Sequence, residues 1–187
     1  ETAVRYPYVT NDPIWKKNSN VLVGKLYNNI GTKFLWSASG ELFLTGYRAG
    51  DFNLNGEITK AIDFKKGRAL WLITGGMINR QPSFWYEHWG SNHFKWNNNL
   101  DREFRIDVGT TFSYPARKTK IKFNYAVITN YTDFGFTATP SQYSGALSVS
   151  ALMLSKELRA WKFHLATDAL FQKSSNTSER VSGYYSD

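Results

Sequence analysis

The residues whose types could do chemistry are the three histidines and the carboxylates near them. His88 and His93 flank Trp89 in the segment 80–100, RQPSFWYEHWGSNHFKWNNNL, and Glu87 adjoins His88. Two imidazoles and a carboxylate are metal-ligand types, but a metal site needs further ligands at fixed geometry, and this spacing matches no metal motif. No metal is therefore expected, and nothing calls for another cofactor. His164 and Asp168 stand four apart in a stretch of alternating polarity. On a strand they would share a face yet lie ~13 Å apart, too far for a His–Asp relay. A partner for either would have to come from another strand. Cysteine is absent, which removes thiol catalysis, zinc-thiolate sites and disulfides. With no nucleophile-and-base pairing in view, the chain is not expected to be an enzyme.

The other candidate is the aromatic loop itself: Phe84, Trp85, Tyr86, Trp89, Phe94 and Trp96. Such rings can stack on sugars or on unpaired bases. The reading preferred here is that they anchor a long loop at an interface or fold it into a lumen, and that Asn97-Asn98-Asn99 is turn chemistry. The net charge of +8, from 23 Lys+Arg against 15 Asp+Glu, invites a nucleic-acid reading. The cations are scattered, however, with Lys16-Lys17, Lys65-Lys66 and the group Arg117, Lys118, Lys120 and Lys122 as the only clusters. No binding motif accompanies them, so nucleic acid is not an expected partner. Turn lysines meeting lipopolysaccharide phosphates, or a lumen favouring anions, account for the balance better. Asn130-Tyr131-Thr132 and Asn176-Thr177-Ser178 match the glycosylation sequon but read as turn residues.

The elements that must position these residues have a period of two, not 3.6. Between Lys33 and Tyr47 one face reads Phe34, Trp36, Ala38, Gly40, Leu42, Leu44 and the other Leu35, Ser37, Ser39, Glu41, Phe43, Thr45. Between Asp51 and Ile62, Phe52, Leu54, Ile58 and Ile62 oppose Asn53, Asn55, Glu57 and Thr59. Between Asp101 and Phe112, Phe104, Ile106, Val108 and Phe112 oppose Arg105, Asp107, Gly109 and Thr111. From Trp161 to Phe171, Trp161, Phe163, Leu165, Ala169 and Phe171 alternate with Lys162, His164, Ala166, Asp168 and Gln172. Fainter strand patterns cover 20–27, 68–77, 119–128 and 142–154. Turn signals separate them at 29–32, 47–50, 64–67, 114–117 and 156–159. These short links suit antiparallel neighbours. No segment shows a capped helical stripe, so the expected fold is an all-β meander.

The length of 187 residues allows one domain or a piece of a larger one. With 42% hydrophobic and 20% charged residues the chain is not disordered. Its mean hydropathy is −0.44, and no apolar run reaches the roughly 18 residues of a membrane helix. A strand-built membrane protein stays open, because its alternation hides from any average. The beginning ETAVRYPYV carries no signal-peptide pattern, so a leader is expected to have been removed or the chain to start within a longer precursor.

Alternation alone leaves two topologies: a soluble barrel or sandwich with the apolar face inward, or an outer-membrane barrel with that face toward lipid and the charged face lining a wet lumen. Two features favour the second. The run from Lys33 to Tyr47 would extend roughly 50 Å, whereas soluble strands average about 5–6 residues. Tyr27, Tyr47, Tyr131 and Trp161 stand near strand ends, where interfacial girdles need such rings.

Several stretches also resemble a known family. LFLTGYRAGDFNLNGEITKAI (42–62) resembles a strand-turn-strand of the "putative porin" family of Bacteroidetes outer membranes. SNHFKWNNNL (91–100) resembles its NHFKWDNNF element. KFNYAVITNYTDF (122–134), the stretch from Pro140 to Asn176, and KKNSNVLVGKLYNNIGTKFLW (16–36) agree in order and spacing. The resemblance covers nearly the whole chain. It implies an antiparallel up-and-down transmembrane β-barrel in the outer membrane of a Gram-negative bacterium, with no catalytic residue to transfer. Members are longer than this chain and such barrels usually end on an aromatic, whereas this chain stops at Tyr184-Tyr185-Ser186-Asp187. One domain over 1–187 is therefore expected, as an incomplete portion of a larger barrel with roughly ten strands in view.

The expected function is passive passage of small polar solutes. Ser37, Ser39, Glu41, Asn53, Asn55, Glu57, Arg105 and Asp107 would line the pore, and Phe34, Trp36, Leu42, Leu44, Phe52, Leu54, Phe104, Ile106 and Val108 would face lipid. Expected partners are outer-membrane lipid, lipopolysaccharide, the solutes and other outer-membrane proteins. The alternatives are a non-conducting barrel that scaffolds a surface or secretion complex, and a soluble barrel binding a ligand through loop 80–100.

Overall fold

A computed structural model describes residues 2–4, 15–91 and 93–175. The sequon at Asn176, the polar stretch beyond 175 and the terminal tyrosines lie outside the described residues.

Eight long antiparallel strands make one sheet. In chain order they are β3 (Ser19–Asn28), β4 (Phe34–Gly46), β5 (Phe52–Phe64), β6 (Gly67–Arg80), β9 (Glu103–Tyr114), β10 (Thr119–Thr129), β13 (Ala146–Ala160) and β14 (Phe163–Ser174). Each lies beside its predecessor, the up-and-down meander expected. The missing numbers are short strands that pair off into ribbons: β1 (Thr2–Val4) with β2 (Trp15–Lys17), β7 (His88–Gly90) with β8 (Lys95–Asn97), and β11 (Thr132–Phe134) with β12 (Pro140–Gln142). So the roughly ten strands expected resolve into eight in the wall and six in ribbons. The outer edges of β3 and β14 have no strand partner among the described residues, and the sheet is not closed there.

The two ends of the sheet differ. At one end the links are short: 29–33, 65–66, 115–118 and 161–162. At the other lie the long connections 81–102 and 130–145. The first of these carries a one-turn helix, α1 (Phe84–Glu87), and ribbon β7–β8; the second carries ribbon β11–β12. Left-handed backbone closes several turns, at Gly67 (φ +134°), Lys118 (φ +49°), Asn130 (φ +56°) and Trp161 (φ +52°).

One expected turn is displaced. Lys156–Arg159 reads as a turn because it is charged, but β13 continues to Ala160 and the reversal occurs at Trp161-Lys162. The charges are consumed across strands: Glu157 accepts from Lys118 Nζ at 2.6 Å, and Lys156 Nζ donates to the Arg117 carbonyl at 2.6 Å. Trp161, assigned to the apolar face of a strand, occupies the turn itself. The single strand expected over 142–154 is likewise split between β12 and β13.

A bulge interrupts the β3–β4 ladder. Val21 pairs with Phe43 but Asn20 pairs with Thr45, leaving Leu44 as the extra residue. Just beyond it, Gly46 has φ +87°, and a Cβ there would meet the Asn18 carbonyl oxygen at 1.7 Å. Gly46→Ala is expected to cost roughly 1–3 kcal/mol and to free the β3–β4 end first, read as faster amide exchange at residues 18–20 than in β9 and β10.

The sheet has almost no apolar core. Among the described residues only Ala61, Ala69 and Phe84 are buried hydrophobics. No second sheet or long helix packs on either face among them. The two faces nevertheless differ in shielding. Along β4 and β6 the apolar-face residues are mostly exposed while their polar-face neighbours are partly covered. Along these strands the polar face is thus the better shielded of the two.

Candidate functional site

Residues directly opposite in an antiparallel ladder share a face, so register assigns faces without appeal to periodicity. Ser37 stands opposite Glu57, Ser39 opposite Asn55, and Glu41 opposite Asn53. On the far side of β5, Asn55 faces Gly76 and Asn53 faces Ile78; these in turn face Asp107 and Arg105. All eight residues expected to line a pore therefore lie on one face of the sheet.

Two side-chain pairs form among them. Arg105 clamps Asp107 through Nε at 2.7 and 2.9 Å and Nη2 at 2.6 Å. The two charges thus cancel locally. Asn55 Nδ2 donates to Asn53 Oδ1 at 2.9 Å. Between these groups runs a polar groove of about 420 Å³, lined by Lys25, Ser37, Ser39, Asn55, Glu57, Thr74 and Asp107. Its floor includes Gly76, where a Cβ would stand 3.0 Å from Asn55 Oδ1. Lys25 and Thr74 escaped the list of candidate pore residues because β3 and β6 alternate only faintly. The signal for Lys25 was its alternation with Leu22, Gly24 and Leu26.

The opposite face carries the other set. Leu42 opposes Phe52, Trp36 opposes Ile58, Ile106 opposes Met77, and Val108 opposes Gly75. Phe34, Leu54 and Phe104 belong to the same face by their pairings with Lys60, Gly40 and Asn79. Leu44 is exposed, but it sits in the bulge, where alternation no longer assigns a face. Ile73, Trp71, Phe123, Tyr125, Leu152 and Leu154 extend the face across the remaining strands. Trp71 Nε1 is satisfied on this face by Thr110 Oγ1 at 2.7 Å.

At the long-loop end the polar face is roofed by a network missed in the sequence. Asp51 is fully buried and receives Arg48 Nε at 2.8 Å, Arg102 Nε at 3.3 Å and the Gln81 amide at 2.9 Å. Glu103 takes Arg80 at 2.9 Å and the Thr132 amide at 3.0 Å. Buried Glu87, on α1, accepts from the Tyr47 hydroxyl and Gln81 Nε2. Burial, then Glu87, raises the Tyr47 pKa well above its usual value. Lys17 Nζ lies 3.0 Å from the Tyr47 ring centroid and 3.8 Å from that of Phe84. Burial pulls its pKa down to about 8, against the opposing pull of Glu87.

That scaffold orders the aromatic loop. Trp89 and Trp96 are ladder partners with rings stacked at 6.0 Å. Trp85 meets Trp89 edge-on at 5.4 Å, and Tyr86 and Trp96 both contact Phe134 from the neighbouring loop. Trp96 Nε1 donates to the Trp85 carbonyl at 2.9 Å, and Asn98 Nδ2 to the Tyr86 carbonyl at 2.9 Å. Asn98 therefore ties the loop to α1, and the Asn97-Asn98-Asn99 run is not the turn expected, since Asn97 ends β8 opposite His88. Phe94 is exposed at the tip.

The histidines are dispersed. His88 packs on Phe84, with centroids 5.2 Å apart, and His93 is exposed. His164 does find a partner on another strand, Glu157 at 3.1 Å, while Asp168 faces Ser155. Among the described residues no three His, Cys, Asp or Glu side chains gather as a metal site.

An antiparallel wall, polar and partly shielded on one side, apolar and exposed on the other, is the arrangement of porin-like β proteins. The chain belongs to the "putative porin" family, whose model matches residues 2–181. No curated protein and no solved structure matches it.

Proposed function

We propose that this sheet is part of the wall of an outer-membrane barrel through which small polar solutes pass passively, with no covalent step. The observation that carries the proposal is the placement of the apolar side chains: they stand exposed on one face of the sheet, and only three hydrophobic residues are buried among those described. In water that arrangement forgoes the burial that drives folding; in hydrocarbon it is what the solvent favours. Membership of the porin family supports it. No helix among the described residues is long and apolar enough to cross a membrane; in this reading the crossing is by strands.

The open edges of β3 and β14 present unpaired backbone groups, each costing several kcal/mol in lipid. Further strands must cover them, so the eight form a segment of a larger closed wall. Outer-membrane barrels keep short turns on the periplasmic side and long loops outside. By that rule loops 81–102 and 130–145 face outward, and the hairpins bearing Lys65-Lys66 and Lys162 face the periplasm. Those lysines would then meet inner-leaflet phosphates, and lipopolysaccharide would meet the long-loop end.

Liposome swelling tests the function. Vesicles carrying the full-length protein are expected to swell in small sugars and amino acids and to remain intact in large polysaccharides. Folded protein in vesicles that admit no solute of any size would contradict it.

A further inference from the structure

On the polar face β13 presents an aliphatic strip, Leu147, Val149, Ala151 and Met153, whereas β4 and β5 present mostly hydrogen-bonding and charged groups. The ladder runs without a break from Ser39 through Asn55, Gly76, Asp107 and Ala126 to Val149. The neighbouring row runs from Glu41 through Asn53, Ile78, Arg105 and Ile128 to Leu147. In these two rows the β4–β5 end is hydrogen-bonding or charged and the β10–β13 end is aliphatic. In the next two rows β10 carries Asn124 and Lys122 on this face, and only β13 stays aliphatic, with Ala151 opposite Gln172 and Met153 opposite Leu170. Between these residues on β13, Ser148 and Ser150 point to the other face, so the polarity of alternate positions is inverted there relative to β4, β5 and β9.

An aliphatic strip inside a wet passage costs nothing to a purely polar solute, which ignores it, and favours any solute that can lay an apolar flank on it. The facing bank supplies the complement: Lys25 and Glu57, of opposite charge, line one groove with Ser37, Ser39 and Asn55. Resting on the pore reading above, we propose that the passage is selective for small amphipathic solutes. The apolar body would rest on Ile128, Leu147, Val149 and Met153, and the charged or hydrogen-bonding end on the β4–β5 bank.

Leucine and asparagine, zwitterions of similar size, make the probe pair. With full-length protein in liposomes, leucine influx at low concentration is expected to exceed asparagine influx roughly three- to tenfold, the preference that partial burial of the isobutyl group would give. The double variant Leu147→Thr/Val149→Thr keeps β-compatible residues and should bring the ratio toward one. If the double variant fails to insert, Val149→Thr alone should move the ratio in the same direction. Equal influx through the unsubstituted protein, or a ratio unmoved in a folded variant, would overturn the selectivity while leaving the pore standing. Entry of neither amino acid would overturn both.

Discussion

Val108→Arg is expected to block or severely weaken insertion, costing roughly 2–4 kcal/mol, the usual penalty for a cation on the lipid face of a barrel near the bilayer centre. Val108 lies midway along β9, faces Gly75 and Tyr125 on the apolar side, and is 49% exposed. Asn55→Arg supplies the control. It sits on the polar face one strand beyond β6, in a groove that already holds Lys25 and Asp107. A guanidinium there gains water and a carboxylate, and its cost should be near zero. Urea titration of folding into lipid vesicles reads both. Equal penalties for the two arginines would mean that the faces do not differ in solvent.

The second large effect belongs to the loop end. Asp51→Ala removes a buried carboxylate that holds Arg48, Arg102 and the Gln81 amide. Breaking a buried ion pair typically costs about 3–5 kcal/mol. Here both arginine side chains are more than 40% exposed and can regain water, so about 3 kcal/mol is expected. Asp51→Asn keeps an acceptor for Gln81 and should lose less, roughly 1–2 kcal/mol. The damage should be local. Protease should cut within 81–102 and the near-ultraviolet signal of the stacked tryptophans should fall, while the strand signal of the wall persists.

The strand faces were legible because a period of two is a strong constraint: once Glu41 and Glu57 are placed, Ser37, Ser39, Asn53 and Asn55 follow. Most hairpins were legible from local chemistry, such as Asn29 and Gly31 or Phe64 to Gly67. What was not legible is long-range or inverted. Nothing local ties Asp51 to Arg102, fifty-one positions away, or places β6 beside β9 across the aromatic loop. The charged end of β13 imitates a turn until its partners, Lys118 and His164, are in place. Leu44 followed the alternation on paper, and the bulge beneath it leaves no marker in the residues themselves. On β13 the aliphatic residues of one face and the serines of the other were read as a faint strand, because without register neither face can be assigned to either side.

Labelling of single introduced cysteines tests most directly which face meets lipid and which meets water. The chain contains no cysteine, so one introduced thiol reports one position. Asn55 and Leu54 are consecutive in β5 and point to opposite faces. In full-length protein reconstituted in lipid, with the unsubstituted protein as blank, a charged, membrane-impermeant thiol reagent should modify Asn55→Cys and lower its conductance. Leu54→Cys should stay unmodified until the bilayer is dissolved. Modification of Leu54→Cys at a comparable rate, or protection of Asn55→Cys in an open protein, would contradict a wall with lipid outside and water within.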